Sequence, residues 1–189
     1  MKKIPENIFF NIADLKKCGK NVIIGKTVRI RYPELVEIGD NVIIDDFTYI
    51  SGNVKIGSFV HIASSCTIQA GHASIEIGSF VGISAGCRIF AVTSNYLIPS
   101  LDLPVIQKKF SYGSIHEDTR IGDDVLIGAN CVVLNGVVIP NGVAFGAGLT
   151  IRKKEYVEWR LYSDCTEKPK LKRNSKKYFK KKQELLYEK

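Results

Sequence analysis

The sequence predicts an all-β protein, a stacked parallel β-helix, and three observations support this prediction. A hydrophobic residue recurs every six positions over most of the chain, a small or branched apolar residue precedes it by two positions, and glycine often follows it. Neither the 3.6-residue period of an α-helix nor the plain alternation of a strand produces this spacing. Two inward side chains around one outward side chain make a very short strand, and three such strands close a triangular coil.

The recurring hydrophobic residue, the anchor of each repeat, is aliphatic in sixteen repeats and phenylalanine in one. The seventeen anchors are Ile24, Ile30, Ile38, Ile44, Ile50, Ile56, Ile62, Ile68, Ile77, Ile83, Ile89, Ile121, Ile127, Val133, Ile139, Phe145 and Ile151. Turns such as Gly39–Asn41 separate them, because Gly, Asn and Asp tolerate the unusual backbone angles of sharp corners. Cys66, Cys87 and Cys131 occupy the small inward position, so we expect them to pack in the core and not to act as nucleophiles.

The interruptions of the repeat all fall at one corner of the predicted prism. The spacing to the next anchor widens to eight residues after Ile30, to nine after Ile68 and to 32 after Ile89. These are the second, eighth and eleventh anchors, so with three anchors per coil each break leaves the prism at the same corner. Such insertions commonly lie on the binding side of a repeat protein. The last break predicts one long protruding loop, residues 91–120, which we expect to embrace a ligand or a neighbouring subunit.

The repeat divides the chain into an N-terminal segment (1–21), the β-helix with its loop (22–155) and a C-terminal cap with a basic helical tail (156–189). The net charge is +8, and residues 166–189 alone hold ten Lys and Arg against three Glu. We interpret this concentration as a short, solvated basic helix over Ser175–Tyr187. No basic groove studded with aromatic residues accompanies the helix, so nucleic acid is not an expected partner.

Membrane and secretion features are absent from the sequence. No run of 18 or more residues is apolar, and the charged N-terminus lacks the apolar stretch of a signal peptide. We therefore expect a cytoplasmic protein that does not insert into membranes. The five cysteines form no CxxC pair, which gives no support for a zinc ribbon or a redox motif.

Several repeats resemble those of a known family. Residues 38–43 (Ile-Gly-Asp-Asn-Val-Ile), 56–61 and 127–132 are similar to the repeats of the hexapeptide-repeat acyltransferases. Residues 127–153 resemble the galactoside/maltose O-acetyltransferase branch and the related O-antigen and capsule sugar acetyltransferases. The resemblance implies a left-handed β-helix, a homotrimer with active sites between subunits, and acetyl-CoA as the acyl donor, without a metal.

The acceptor side of the implied reaction departs from the family. Transfer to a hydroxyl needs a base, and histidine suits that task because its pKa lies near neutrality. Family members carry this histidine early in the long loop, but residues 93–99 of this chain contain none. His72, in the three-residue insertion at the same corner, and His61, on the face opposite that corner, are the two candidate bases. Asn95 and Tyr96 are candidates to orient the substrate.

A third histidine, His116, lies where the long loop rejoins the repeat. We expect it to be a solvated loop residue and the weakest candidate for the base. Each of the three histidines also has a plain structural interpretation as a surface, loop or interface residue.

The donor side follows the family more closely. The final coil, Phe145-Gly-Ala-Gly-Leu-Thr-Ile-Arg-Lys-Lys154, is similar to the family motif in which a lysine contacts a CoA phosphate. By this resemblance, Ala129 and Ala147 would offer backbone groups to the pantetheine arm, and Arg152 and Lys153 would meet the nucleotide end. The same residues are also compatible with plain turns and surface charge.

Three functions remain open from the sequence. The first is O-acetylation of a sugar hydroxyl in surface-polysaccharide or related sugar metabolism. The second keeps acetyl-CoA but acylates the amino group of a nucleotide-linked amino sugar, and an amine needs less help from a base. The third is a non-catalytic or zinc-binding β-helix, although the three histidines give no evident set of zinc ligands.

Overall fold

The structure, a computed structural model, describes residues 7, 9–99, 101, 103, 105–111, 113–163 and 171–187. Its body is a parallel β-solenoid of about seven turns, and one helix, α1 (Ser175–Tyr187), follows in the described C-terminal part. Stacked strands form three faces, here named face 1, face 2 and face 3 in the order in which the chain visits them from Ile24. The predicted solenoid and the predicted C-terminal helix are confirmed.

The strands are short on every face, as the six-residue period requires. Face 1 contains β2 (Ile23–Ile24), β5 (Val42–Ile44), β7 (Val60–Ile62), β9 (Gly82–Ile83), β14 (Leu126–Ile127), β17 (Ala144–Phe145), β19 (Arg160–Tyr162) and the antiparallel β20 (Leu171–Lys172). Face 2 contains β3 (Arg29–Arg31), the first parts of β6 (Tyr49–Ile56) and β8 (Thr67–Ile77), β10 (Arg88–Phe90), β15 (Val132–Val133) and β18 (Thr150–Ile151). Face 3 contains β1 (Lys17–Cys18), β4 (Val36–Ile38), the second parts of β6 and β8, β13 (Thr119–Ile121) and β16 (Val138–Ile139).

The inner side of the prism is the hydrophobic core. All seventeen anchors are buried, and so is nearly every apolar residue two positions before them. The thiols of Cys66, Cys87 and Cys131 donate to main-chain carbonyls of the following coil over 3.0–3.3 Å. A hydrogen bond with the Cys87 thiol, together with burial, raises the pKa of Cys131. The expectation that these cysteines are core residues is confirmed, since all three side chains are buried among the anchors.

The three predicted insertions leave the prism at one corner, between faces 2 and 3 (corner 2/3). The first contains a 3₁₀ turn over Pro33–Leu35, and the second is carried by β8, which runs around the corner as a continuous strand. Because β6 also turns this corner, faces 2 and 3 form a single ten-stranded sheet. The long loop begins and ends as an antiparallel hairpin of β11 (Val92–Ser94) and β12 (Ser114–His116).

Helix α1 packs on a different corner, between faces 3 and 1 (corner 3/1). One residue in each turn there has a left-handed backbone, and a column of side chains results, in which the rings of Phe59 and Phe80 stack 4.6 Å apart. Lys182 of α1 lies 2.7 Å from a carboxylate oxygen of Asp124 and 3.9 Å from the centre of the Phe80 ring. Trp159, which caps the end of the column, contacts the α1 residues Tyr178 and Phe179.

The outer surfaces of faces 1 and 3 differ in character. The outward residues of neighbouring strands on face 3 alternate in charge, as in Glu37, Lys55 and Glu76. Face 1 instead exposes apolar side chains such as Ile43 and Leu126, which are 40% and 47% exposed, with His61 and Gly82 between them in the outward row. Parallel stacking also reaches beyond the span of the repeat, at Lys17–Cys18 and at Arg160–Tyr162, whose strand pairs with β17. Within the described residues, no helix combines the length and the apolar character needed to cross a membrane.

Candidate functional site

A cavity of about 870 Å³ lies at corner 2/3, between the solenoid and the long loop. The solenoid contributes five lining residues, Gln69, His72, Phe90, Leu134 and Asn135. The loop contributes nine, Val92, Thr93, Ser94, Tyr96, Leu103, Ile106, Lys108, Ser111 and Ser114. Nine of these fourteen lining residues are polar and five are apolar, and a concave site of this size can hold a small molecule with many polar groups. The loop therefore surrounds a ligand-sized space, as the sequence predicts.

The returning end of the loop is fixed to the preceding coil by His116. Its Nδ1 accepts a hydrogen bond of 3.1 Å from the main-chain N–H of His72, and the two rings lie 5.0 Å apart. A side chain at Gly71 would place its Cβ 2.9 Å from the same Nδ1, so only glycine leaves room for this ring. Because Nδ1 accepts, a neutral His116 ring carries its proton on Nε2. The expectation of a solvated loop residue is wrong for His116, which is half-buried.

Glu117, the next residue, connects the loop to the two following coils. One carboxylate oxygen accepts a hydrogen bond of 2.9 Å from Asn135 Nδ2, and the other lies 2.8 Å from Lys153 Nζ. The carboxylate stands over Gly136, where a Cβ would come within 2.5 Å of it. Since the Asn135 amide nitrogen binds Glu117, its carbonyl oxygen Oδ1 is the acceptor that remains for a ligand in the cavity. Glu117 and Lys153 thereby hold the side-chain amide of Asn135, a residue of the cavity lining, in one orientation.

Asp118 completes this connection on the other side. Its Oδ1 accepts hydrogen bonds of 2.8 Å from both the hydroxyl and the main-chain N–H of Ser74. Both bonds hold the pKa of Asp118 below its ordinary value, and the bond from the Ser74 hydroxyl has the larger effect. The consecutive residues His116, Glu117 and Asp118 thus bind the loop to the coils on both sides of it.

Glu117 and Asn135 are not among the candidates predicted from the sequence, although the sequence contains a signal for both. Glu117, Asn135 and Lys153 are spaced 18 residues apart, which is the length of one uninterrupted coil. Residues at equivalent positions of successive coils stack on each other, so this spacing predicts contact. The interruption before residue 121 had separated Glu117 from the repeat and hidden its position.

The predicted acceptor-side residues are only partly brought together. His72 and Tyr96 line the cavity, although Tyr96 is 87% exposed. Asn95 lies outside the lining, and its side-chain oxygen accepts a hydrogen bond of 3.0 Å from the main-chain N–H of Leu97. His61 projects from face 1, where its Nε2 lies 2.8 Å from Asp45. In a single chain, His61 is therefore far from the corner that holds the cavity.

The four predicted donor-side residues lie on two different edges of face 2. Ala129 and Ala147 are in the turns between faces 1 and 2 (corner 1/2), and the Ala129 carbonyl is already paired with the Gly148 N–H at 2.8 Å. Arg152 and Lys153 follow β18 and lie at corner 2/3, beside the cavity. The predicted partner of Lys153 was a phosphate, but its ammonium group is paired with Glu117.

The described residues offer no group of three or more His, Cys, Asp or Glu side chains placed to hold a metal ion. The hypothesis of a zinc-binding β-helix therefore gains no ligand set from that part of the chain. The three histidines occupy face 1 and corner 2/3, and only His72 and His116 are neighbours.

Known proteins with hexapeptide repeats are similar to this chain over most of its length. Residues 36–70 and 118–153 match the family model "Bacterial transferase hexapeptide (six repeats)". The chain is 30% identical over 165 residues to the dTDP-4-amino-4,6-dideoxy-D-glucose acyltransferase of Escherichia coli, covering 85% of this chain and 84% of the relative.

Two solved structures of AntD, an N-acyltransferase from Bacillus cereus, are similar over 95% of this chain and 97% of theirs. One, a point mutant in complex with dTDP-4-amino-4,6-dideoxyglucose and coenzyme A, has a TM-score of 0.81 at 30% identity. The other, in complex with dTDP and 3-hydroxybutyryl-CoA, has a TM-score of 0.83 at 29% identity.

A maltose O-acetyltransferase from Clostridium difficile 630 has a TM-score of 0.55 at 17% identity, covering 86% of this chain and 73% of the other, so it shares the fold alone. The sequence resemblance to hexapeptide acyltransferases is confirmed, although the E. coli relative is named for an amino sugar nucleotide and AntD is an N-acyltransferase. The chain belongs to the bacterial hexapeptide-repeat transferases and is an acyltransferase of that family.

Proposed function

We propose that this chain transfers the acyl group of an acyl-CoA to the amino group of a dTDP-linked 4-amino-4,6-dideoxy sugar. The single observation that carries the proposal is the fixed amide of Asn135, a residue of the cavity lining whose Nδ2 is bound by Glu117, so that Oδ1 is the atom left to accept a hydrogen bond. Two relatives support the choice of acceptor: the E. coli relative, which is named for this sugar nucleotide, and AntD, which was solved in complex with it. N-acylation, the alternative in the sequence analysis, is therefore preferred to O-acetylation.

The geometry suits an amine better than a hydroxyl. A hydroxyl must lose its proton during the attack and needs a strong base, whereas a neutral amine already carries a nucleophilic lone pair. His72 is the histidine that lines the cavity, and within the described residues no carboxylate bonds its ring. A histidine without such a partner is not oriented as a base.

The proposed reaction uses Asn135 to orient the acceptor. Its Oδ1 accepts an N–H bond of the neutral amine, which directs the nitrogen lone pair at the thioester carbon. A C–N bond forms, the C–S bond breaks, and the nitrogen loses one proton while the CoA sulfur gains one. The Glu117 carboxylate, paired with Lys153, polarises the Asn135 amide and makes Oδ1 a stronger acceptor.

Lys153 has two possible roles, and kinetics separate them. If Lys153 holds Glu117, replacing it with Met lowers kcat and leaves the KM for acyl-CoA within about twofold. If it contacts a CoA phosphate, as the family resemblance implies, the same substitution raises that KM. The ion pair with Glu117 favours the first role.

The proposal includes a homotrimer with active sites between subunits. In one chain the small-residue turns around Ala129 and Ala147 and the cavity lie on opposite edges of face 2. An acyl-CoA bound along those turns reaches a cavity most directly when the cavity belongs to a neighbouring copy. The exposed apolar side chains of face 1, among them Ile23, Ile43 and Leu126, offer the surface on which that copy would pack. The cytoplasm, where acyl-CoA is available, is the proposed compartment.

The test is thiol release from acetyl-CoA and 3-hydroxybutyryl-CoA with three acceptors: dTDP-4-amino-4,6-dideoxyglucose, its 4-hydroxyl counterpart and maltose. We expect turnover with the amino sugar alone, and the preferred acyl-CoA then fixes the acyl group. Turnover with either hydroxyl acceptor at a comparable rate would overturn N-acylation and restore the O-acetyl hypothesis.

A further inference from the structure

The hairpin of the long loop packs on one glycine of the solenoid, Gly71 in β8. Gly71 has a left-handed backbone, with φ of +64°, and a Cβ there would lie 2.8 Å from Val92 Cβ and 2.9 Å from His116 Nδ1. Both strands of the hairpin therefore pack closely against this residue. His116 Nδ1 also accepts the hydrogen bond of 3.1 Å from the main-chain N–H of His72. The His116 ring thus joins the end of the loop to the preceding coil through close packing and one hydrogen bond.

This hydrogen bond exists only while Nδ1 of His116 carries no proton. An imidazolium ring has an N–H group at both nitrogens and accepts no hydrogen bond. Protonation would therefore place two donors, His116 Nδ1–H and the main-chain N–H of His72, against each other. The close packing on Gly71 leaves the ring little space to move away while the hairpin stays in place. Because a proton is taken up when the bond is lost, acid favours release of the hairpin.

The charged and titratable groups around His116 belong to three parts of the chain. On β8, the His72 ring lies 5.0 Å away, and its own protonation would add repulsion between two positive rings. After β12, Glu117 and Asp118 would attract a protonated ring, but each carboxylate is already bonded to groups of other coils, Lys153 among them. On the other side, β11 consists of valine, threonine and serine and has no titratable side chain. The neighbouring carboxylates are thus directed at other partners.

We propose that His116 is a positioning residue for acyl transfer, and that its neutral form holds the loop in the geometry that the reaction needs. Glu117 follows His116 directly, and its main-chain N–H donates to the carbonyl of Ala91, where the loop begins, over 2.9 Å. When the hairpin leaves Gly71, Glu117 is displaced from the Asn135 amide, and the acceptor for the amine loses its orientation. This consequence for turnover rests on the proposed function, whereas release of the hairpin does not.

The first test measures release of the hairpin without substrates. His116→Asn supplies an acceptor that does not titrate, because asparagine Oδ1 and histidine Nδ1 are both bonded to Cγ. Amide hydrogen exchange of β11 and β12 is compared between this variant and the wild type at the same pH, so that the intrinsic pH dependence of exchange cancels. We expect equal rates at pH 8 and about tenfold faster exchange in the wild type at pH 5. Residues 121–133 of the solenoid should exchange equally at both pH values.

His72→Gln is the matched control, because it keeps the main-chain N–H and removes the neighbouring ring. Its hairpin should lose protection in acid as the wild-type hairpin does. Equal hairpin exchange of the wild type and His116→Asn at pH 5 would overturn the proposal. Acid sensitivity that disappears in His72→Gln would also overturn it, since the His72 ring would then be the group that responds to pH.

The second test is kcat with the amino sugar nucleotide at pH 5 and pH 8. Protonation of the amine substrate lowers turnover in acid in both proteins, so the ratio of kcat in His116→Asn to kcat in the wild type isolates the effect of His116. We expect a ratio near 1 at pH 8 and about 10 at pH 5. A ratio near 1 at both pH values, beside acid-sensitive hairpin exchange, would overturn the positioning role. Failure of the proposed function has a different signature, no turnover by the wild type at pH 8, and the exchange experiment still decides whether His116 holds the hairpin.

Discussion

Corners 1/2 and 2/3 of the same prism contain the same kind of hydrogen-bonded clamp but differ in what surrounds it. At corner 1/2, Asp46 accepts from the main-chain N–H and the hydroxyl of Thr27, one coil earlier. At corner 2/3, Asp118 accepts from the same two groups of Ser74, but 44 residues separate them because the long loop intervenes. The loop is therefore anchored by a bond that the regular coils also use, and the proposed chemistry depends on the next residue back, Glu117, which binds Asn135.

The largest difference between the two corners is expected in kcat, when the proposed hydrogen-bond acceptor at corner 2/3, Asn135, or the carboxylate that holds it is replaced. Asn135→Ala removes the oxygen that orients the amine, and Glu117→Gln removes the charge that polarises it. We expect kcat to fall by about 10²-fold in each, as is typical when a reacting group is misplaced by about 1 Å. Steady-state thiol release with the amino sugar nucleotide measures this. Asn41→Ala, which changes an asparagine of corner 3/1 with a left-handed backbone, is the control and should keep kcat within about threefold.

The next effect separates stability from catalysis at the corner that α1 covers. Lys182→Met leaves the nearly buried Asp124 carboxylate without its partner, so we expect a loss of about 2–3 kcal/mol in the free energy of unfolding. For a chain of this size, the thermal midpoint should fall by about 4–10 °C. Calorimetry measures the shift, and kcat at 25 °C should be unchanged. A fall in kcat of more than tenfold at that temperature would connect corner 3/1 to the site.

A smaller effect distinguishes the two histidines that the sequence singles out. His72 lines the cavity, so His72→Ala should lower kcat about tenfold by loosening the wall. His61 forms an exposed pair with Asp45 on face 1, and such pairs contribute little, so His61→Ala should change kcat less than threefold. A larger loss at His61 than at His72 would mean that a neighbouring subunit's face 1 supplies the base.

The smallest effect is the pH dependence of the clamp on the loop. Ser74 lowers the pKa of Asp118, so its stabilising contribution is complete above the ordinary carboxyl pKa of about 4 and disappears as the pH falls through the lowered value. The thermal midpoint of Ser74→Ala should therefore lie below that of the wild type at pH 7, and the gap should close toward pH 2. A gap that stays constant with pH would contradict the assigned role of the carboxylate.

The fold can be predicted closely from the sequence because every repeat has the same short pattern of inward, outward and turn residues. The anchors fix the inward side, the glycine and asparagine turns fix the corners, and the breaks after Ile30, Ile68 and Ile89 fix which corner carries the loop. Helix α1 is equally predictable from its composition. Its docking on Asp124 and Phe80 is not, because the contact joins residues that no periodic pattern relates.

The site is less predictable for a physical reason. His72 follows from its place in an insertion, but the role of Glu117 depends on how the loop returns to the coil. Only when β13 is in register do Glu117, Asn135 and Lys153 become equivalent positions of three successive coils. The family motif assigns Lys153 to a phosphate. The motif lies in the final coil and contains no information on Glu117, which lies 36 residues earlier in the chain and pairs with Lys153 in the structure.

The most direct test of the claim that the irregular corner carries the chemistry is a comparison of two glycine substitutions. Gly136 and Gly86 share a left-handed backbone, with φ of +72° and +73°, and a Cβ at each would meet a polar side chain, Glu117 or Asn130 respectively. Both alanine variants should lose similar stability, about 1–2 kcal/mol. We predict that kcat with the amino sugar nucleotide falls about 10²-fold in Gly136→Ala and stays within threefold in Gly86→Ala. Equal kcat values in the two folded variants would contradict the account.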